Sequence, residues 1–261
     1  MGDAKPNPDQ DGPEFGDTTT IQDDLGNSVV IPGGFHLDAE SGTSVEEGIV
    51  IEDANGNQFV WIPTGAYQTS TGAKTNELTR RNFSSSDATA ISGDAATSGG
   101  AGNNYYGEGD SRSVAYGQIA AFKASVSPKS ETNTNGNGGF YIGRYEQGIG
   151  NVCKAGVVTY TNITRDTAKT QAEAMYGAES SVKSELISSY AWDTALNFIC
   201  QTNSAGYTLA ITASSSYGNM GTGIKQNTGA DANDDYSNIH DFWEIAMNGP
   251  QNMLAIQIIH A

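Results

Sequence analysis

The chain has 261 residues, a net charge of −17, 37% hydrophobic and only 16% charged residues, with 32 glycines and two cysteines. The acidic balance excludes a phosphate-seeking nucleic-acid binder, because the 13 Lys and Arg are scattered and form no basic patch; it also disfavours an anionic membrane surface. No run of about 18 apolar residues is present, so a membrane-spanning helix is excluded, and two cysteines are too few for a disulfide scaffold.

Residues 1–24 open with MGDAKPNPDQDGPEFGD, acidic and Pro/Gly-rich, without the positive start or apolar stretch of a signal peptide; they are expected to be a disordered leader. The remainder, 25–261, reads as one domain. Val29-Val30-Ile31 is an apolar burst closed by Pro32-Gly33-Gly34. Two β-rich runs follow, Gly48 to Glu52 and Gln58 to Pro63, with Asn55-Gly56 between them, the strongest short-range hairpin signal. From Thr64 to Asp110 the sequence is rich in Ser, Thr, Gly and Asn and lacks periodicity, which predicts one long loop. A helix is expected over Ser113 to Val126, then a polar run to Gly139, then a strand Phe140 to Glu146.

Thr164 is placed to cap a helix reaching Tyr176, with Ala168, Ala172, Met175 and Tyr176 as its apolar stripe and Gly177 as a left-handed terminator. A second helix starts near Ser189, and Trp192, Ala195, Leu196 and Ile199 fall at i, i+3, i+4 and i+7. Tyr207 to Thr212 reads as a strand, 213–238 as a polar loop, and Met253 to Ile259 as apolar and strand-like. No internal repeat of useful period is visible. Helices do not alternate with strands, so the fold class is α+β rather than doubly wound.

Several of these stretches, in order, resemble the sulfatase-modifying-factor, or formylglycine-generating-enzyme-like, family. They are Gly56-Asn57-Gln58-Phe59-Val60-Trp61-Ile62-Pro63, Gly138 to Glu146, Ala172-Glu173-Ala174-Met175-Tyr176, Ala191-Trp192-Asp193-Thr194-Ala195-Leu196, and Asn238-Ile239-His240-Asp241 followed by Trp243-Glu244. The resemblance implies a C-type-lectin-like fold, loop-rich, with two main helices packed on small antiparallel sheets. Departures are equally specific: the family's Ala-Gly-Asn triplet is missing between Asp241 and Trp243-Glu244, and nothing after Pro250 matches. The chain therefore reads as C-terminally shortened or frame-shifted. Its tail, Leu254 to Ile259, is either a substitute strand or an accidental appendage, and the appendage is the favoured reading.

The family's copper chemistry needs two nearby thiolates late in the domain. Cys153 precedes the first expected helix and Cys200 ends the second, so neither fits; a bridge and two buried thiols are both open for them, with thiols favoured by the place of Cys200 on an apolar helix side. His36, His240 and His260 show no short ligand spacing, and no Gly-x-Ser-x-Gly elbow stands in a strand-to-helix context. No catalytic residue is assigned. Trp61, Trp192 and Trp243 read as core aromatics, and Arg144 as a structural ion-pair partner.

Two candidate sites remain. Asp231, Asp235, Asp241 and Glu244 offer hard oxygen ligands suited to Ca²⁺, the resemblance implying a calcium position at Glu244; a solvated acidic loop is the competing reading. Tyr217, Asn219, Asn227, Asn233, Tyr236 and Asn238 are residue types that binding surfaces favour. In lectin-fold proteins of phages and bacteria, including the variable proteins of diversity-generating retroelements, the ligand surface lies in this half. The functional expectation is a non-catalytic recognition module for a protein or carbohydrate ligand on a cell surface, located extracellularly, on a cell or on a virion. The alternatives are a formylglycine-generating or related oxidative enzyme, and an inactive truncated relative.

Overall fold

The computed structural model describes residues 17–79, 81–83, 88–90, 121–158, 165–177, 180–202 and 257–260. Its first element is a hairpin of β1 (Thr19–Gln22) and β2 (Ser28–Ile31), with Thr19 opposite Ile31 and Gln22 opposite Ser28. β1 lies inside the stretch expected to be leader, so pairing begins earlier than composition indicates: Val29 and Ile31 are buried, and β1 supplies the partner for their backbone. The leader before Asp17 lies outside the described residues.

The centre of the fold is a six-stranded antiparallel sheet. Its strands are β3 (Phe35–Leu37), β4 (Val50–Asp53), β5 (Gln58–Pro63), β10 (Gly139–Gly143), β11 (Lys183–Leu186) and β12 (Gln257–His260), in the order β11-β12-β10-β5-β4-β3. A 3-10 turn, Val45–Glu47, leads into β4. β10 is buried along its whole length and β5 from Phe59 to Pro63, which is why both read as near-continuous apolar runs rather than alternating ones. On one face Phe59, Trp61 and Tyr141 lie together, with Tyr141 paired to Trp61 and their rings 5.0 Å apart. The other face carries Val60, Ile62, Phe140 and Ile142, with Phe122 of helical residues 121–126 against Phe140 at 5.6 Å. Gly139 sits opposite this packing, and a Cβ there would collide with the Trp61 indole. Each fully buried large apolar side chain contributes roughly 1.5–3 kcal/mol, so these two strands anchor the core.

The expected 64–110 loop is corrected at its start. Gly65–Thr69 (β6) and Gly72–Asn76 (β7) form a hairpin, and Arg81–Phe83 (β8) pairs with Ala88–Ala90 (β9). Their Ser, Thr and Gly content hides the pattern. What holds β6–β7 is tertiary: the rings of Tyr67 and Phe198 are 5.5 Å apart, and the Asn76 amide donates to Pro63 O at 2.8 Å and to Thr194 O at 3.2 Å.

Two helices follow, α1 (Arg165–Ala174) and α2 (Ser189–Thr202). α2 matches its expected register, with Trp192, Ala195 and Ile199 buried and Leu196 packed against the core. α1 buries Ala168 and Ala172 but stops at Ala174, short of Tyr176, and Gly177 is not left-handed. The reason is packing: Tyr176 leaves the helix so that its ring can join Phe35 and Phe59, at 5.5 and 6.0 Å, and the Ser184 hydroxyl accepts its backbone N–H at 3.2 Å.

The tail overturns the favoured reading. Gln257–His260 is a strand inside the sheet, with Tyr141 opposite Ile259 on one side and Ser184 opposite Ile259 on the other. An accidental appendage has no such double pairing. Without β12 the ladder groups of β10 and β11 would both face an open edge. The class is α+β, with few helices and antiparallel sheets, three of them two-stranded among the described residues.

Candidate functional site

Two five-residue turns share one sequence pattern, Asp-x-x-Gly-Asn: Asp23-Asp24-Leu25-Gly26-Asn27 and Asp53-Ala54-Asn55-Gly56-Asn57. They also share their bonding. Asp53 Oδ1 accepts from the backbone of Asn55 and Asn57 at 2.8 and 2.9 Å, and Oδ2 accepts from Asn57 Nδ2 at 2.8 Å. In the first turn Asp23 accepts from Leu25 N, Asn27 N and Asn27 Nδ2 at 2.9, 2.6 and 2.8 Å. The glycine of each takes left-handed backbone, φ 82° at Gly26 and 79° at Gly56, which a side chain would strain. Each aspartate has one further donor from distant sequence, Val45 N at 2.7 Å for Asp23 and the Tyr176 hydroxyl at 2.9 Å for Asp53.

The second turn forms one wall of a cleft of about 610 Å³. Asp53, Asn55 and Asn57 belong to that turn, Gly150 to Val152 and Lys154 to the segment after β10, and Met175 to Gly177 with Ser180 to the exit of α1; Gly34 and Phe35 close it. The segment after β10 is itself a tight turn, with Gly148 N donating to Val152 O at 2.7 Å and Asn151 at φ 63°, the one non-glycine with positive φ among the described residues. Lys154 lays its stem over Gly56 and donates from Nζ to Asn55 O at 3.0 Å. Behind the wall, Gln147 is buried; its Nε2 donates to Asn151 Oδ1, and its Oε1 has no hydrogen-bond partner.

Asp53 and Tyr176 are the two acidic groups on the lining, and both are engaged with one another. Asp53 accepts four hydrogen bonds and has no lone pair directed to a substrate. The Tyr176 phenol is pushed well above its ordinary range, first by burial and then by the neighbouring Asp53 charge, so it stays protonated and donates to Asp53. A general base needs a free lone pair within reach of the proton it takes, and neither group offers one.

Both cysteines are free and buried, which settles the open alternative in favour of thiols. Cys153 Sγ, with its single proton, lies 3.0 Å from Tyr145 O and 3.3 Å from Gln58 O, either of which can accept it. Burial pushes both Cys153 and Cys200 up to about 12, so each is a neutral thiol at pH 7, whereas metal ligation and nucleophilic attack need the thiolate. His36 lies on β3 and His260 on β12, four strand spacings or roughly 19 Å apart across the sheet. Among the described residues no three His, Cys, Asp or Glu side chains are placed to hold a metal ion.

Arg144, buried, takes the ion-pair role expected of it, 3.5 Å from both Asp38 and Glu40 and 2.9 Å from Gln58 Oε1. Glu40 is largely exposed, so the pair with Asp38 and the Gln58 bond matter more. The recognition candidates Tyr217, Asn219, Asn227, Asn233, Tyr236 and Asn238, the calcium candidates Asp231, Asp235, Asp241 and Glu244, and Trp243 lie outside the described residues.

Sequence reasoning saw the Asn-Gly turn but not the cleft beside it. The recurrence of Asp-x-x-Gly-Asn thirty positions apart was the available signal for a turn closed by its own aspartate. Compared with protein-family models, curated proteins and solved structures, the chain gives no match.

Proposed function

We propose that this protein is a non-catalytic recognition module on a formylglycine-generating-enzyme-like, C-type-lectin-like scaffold, and that it engages a carbohydrate or protein ligand on a cell surface. The ligand face in this reading is the 213–238 segment, with Tyr217 and Tyr236 as its aromatic anchors. The observation that carries it is topological. α2 runs to Thr202, its Phe198 and Ile199 in the core, and Gln257–His260 forms β12, inside the sheet and paired on both sides. The described elements on either side of residues 203–256, α2 and β12, both belong to a packed frame, and binding segments are commonly carried between elements of a rigid scaffold. The protonated thiols and the spent Asp53 carboxylate support recognition over oxidation.

The test is binding to a panel of immobilised carbohydrates, wild type against Tyr217→Ala/Tyr236→Ala. Aromatic anchors dominate such surfaces, so loss of both should weaken the best interaction by at least about thirtyfold, with unchanged melting. Equal binding by the variant would remove the 213–238 segment as the ligand face.

A further inference from the structure

We propose that the cleft beside the Asp53–Asn57 turn is a second binding site, for a sugar bearing a carboxylate, such as a uronic acid. The inference does not depend on the 213–238 segment. The cleft volume of about 610 Å³ lies within the roughly 300–1,000 Å³ of small-molecule sites.

Its charge points to a single anionic group. Lys154 is the cationic residue on the lining, and its Nζ uses one of three donors on Asn55 O. Asp53, on the same lining, keeps its negative charge, but its oxygens are taken up by four hydrogen bonds and none of these comes from Lys154. In a chain of net charge −17 an ammonium on a cleft lining, bonded to a backbone carbonyl rather than to a carboxylate, is a local exception. One ammonium matches a carboxylate better than a phosphate dianion, which calls for several converging donors.

The neutral part of the lining suits hydroxyl groups. The Asn57 amide is consumed, its Nδ2 by Asp53 and its Oδ1 by Cys153 N. Asn55 and Asn151 are not consumed in this way: Asn55 bonds through its backbone, and Asn151 accepts from Gln147 but keeps Nδ2. Asn151 is held at φ 63°, a conformation that costs energy and fixes where its amide sits. On the same lining, Met175, Tyr176 and Val152 supply apolar surface for the C–H face of a ring. Carboxylate on Lys154, hydroxyls on Asn55 and Asn151, and ring carbons on Met175 and Tyr176 use the three kinds of surface present.

The experiment is a titration of the full chain with glucuronic acid, glucose and acetate, followed by saturation-transfer NMR. Glucuronic acid should bind saturably, and glucose and acetate each at least about tenfold more weakly, since each lacks one half of the recognition. Lys154→Met should weaken glucuronic acid by about tenfold and leave glucose unchanged. Asn151→Gly tolerates the left-handed backbone and should weaken both sugars. Lys154→Met should melt as the wild type, whereas Asn151→Gly should melt somewhat lower, because the buried Gln147 Nε2 loses its acceptor. No saturable glucuronic acid binding, or equal binding by Lys154→Met, overturns the proposal; acetate binding as tightly as glucuronic acid overturns its sugar part. Tyr217→Ala/Tyr236→Ala should leave this binding intact. If that variant abolishes it while Lys154→Met does not, the cleft is ruled out and the recognition reading of the 213–238 segment stands.

Discussion

Replacing Asp53 by alanine tests whether the Asp-x-x-Gly-Asn turn is a structural rivet. The carboxylate accepts from Asn55 N, Asn57 N, Asn57 Nδ2 and the Tyr176 hydroxyl, all between 2.8 and 2.9 Å. Asn55 is exposed, and water can replace its lost acceptor. Asn57 is buried and Tyr176 half-buried, so their N–H and O–H groups are orphaned. An orphaned buried donor costs about 1–3 kcal/mol, which puts Asp53→Ala at about 3–4 kcal/mol after partial relaxation. Against a typical domain stability of about 5–15 kcal/mol that is a large loss. Urea unfolding followed by the fluorescence of buried Trp61 and Trp192 measures it. Asp53→Asn, which keeps the shape and one acceptor oxygen, should cost about half as much. Asp23→Ala, with Val45 N orphaned in place of the Tyr176 hydroxyl, should match Asp53→Ala within about 1 kcal/mol. A cost under about 1 kcal/mol for both alanine variants would refute the reasoning, because it would mean that the buried donors find other partners.

Deleting residues 257–261 should lower the melting temperature and broaden unfolding, because β12 pairs with both β10 and β11; improved solubility with unchanged melting would restore the appendage reading. The thiols predict a pH effect of definite sign. Burial raises Cys153 and Cys200 from 9.0 to about 12. Below pH 9 both folded and unfolded chains keep these protons, and no difference arises. Above it the unfolded chain ionises first, so their contribution to stability falls between pH 9 and 12. Cys153→Ala/Cys200→Ala should show a shallower decline of urea midpoint over pH 9 to 10.5 than wild type, and native thiols should resist alkylation at pH 7 until urea is added.

Local signals carried the parts of the fold that local physics decides. The Asn-Gly turn fixed β4–β5, the i, i+3, i+4, i+7 spacing fixed α2, and the apolar run from Phe140 fixed β10. Arg144, an isolated cation in an apolar strand context, announced its ion pair. What stayed hidden depends on distant partners. β6–β7 is Ser/Thr/Gly-rich and is held by Phe198 and Asn76 rather than by its own pattern. β11 carries Lys183 and Glu185 and becomes a strand through its ladder with β12. The end of α1 is set by where Tyr176 finds Phe35, a contact that outweighs the glycine three residues beyond the helix. The cleft draws on stretches around 34, 55, 152 and 176, so no window of sequence contains it. The sites read from composition alone, 213–238 and 231–244, fall outside the described residues and rest on the chemistry of their side chains.

The most direct test of the recognition account replaces residues 213–238 by a Gly/Ser segment of equal length and measures binding to the carbohydrate that wild type binds best, with thermal melting in parallel. Among the described residues the frame of β5, β10, β12 and α2 is held by its own strand pairing and core packing, so melting should be retained while binding falls by at least about a hundredfold. Binding that survives the replacement would contradict the account and move the ligand face elsewhere on the protein.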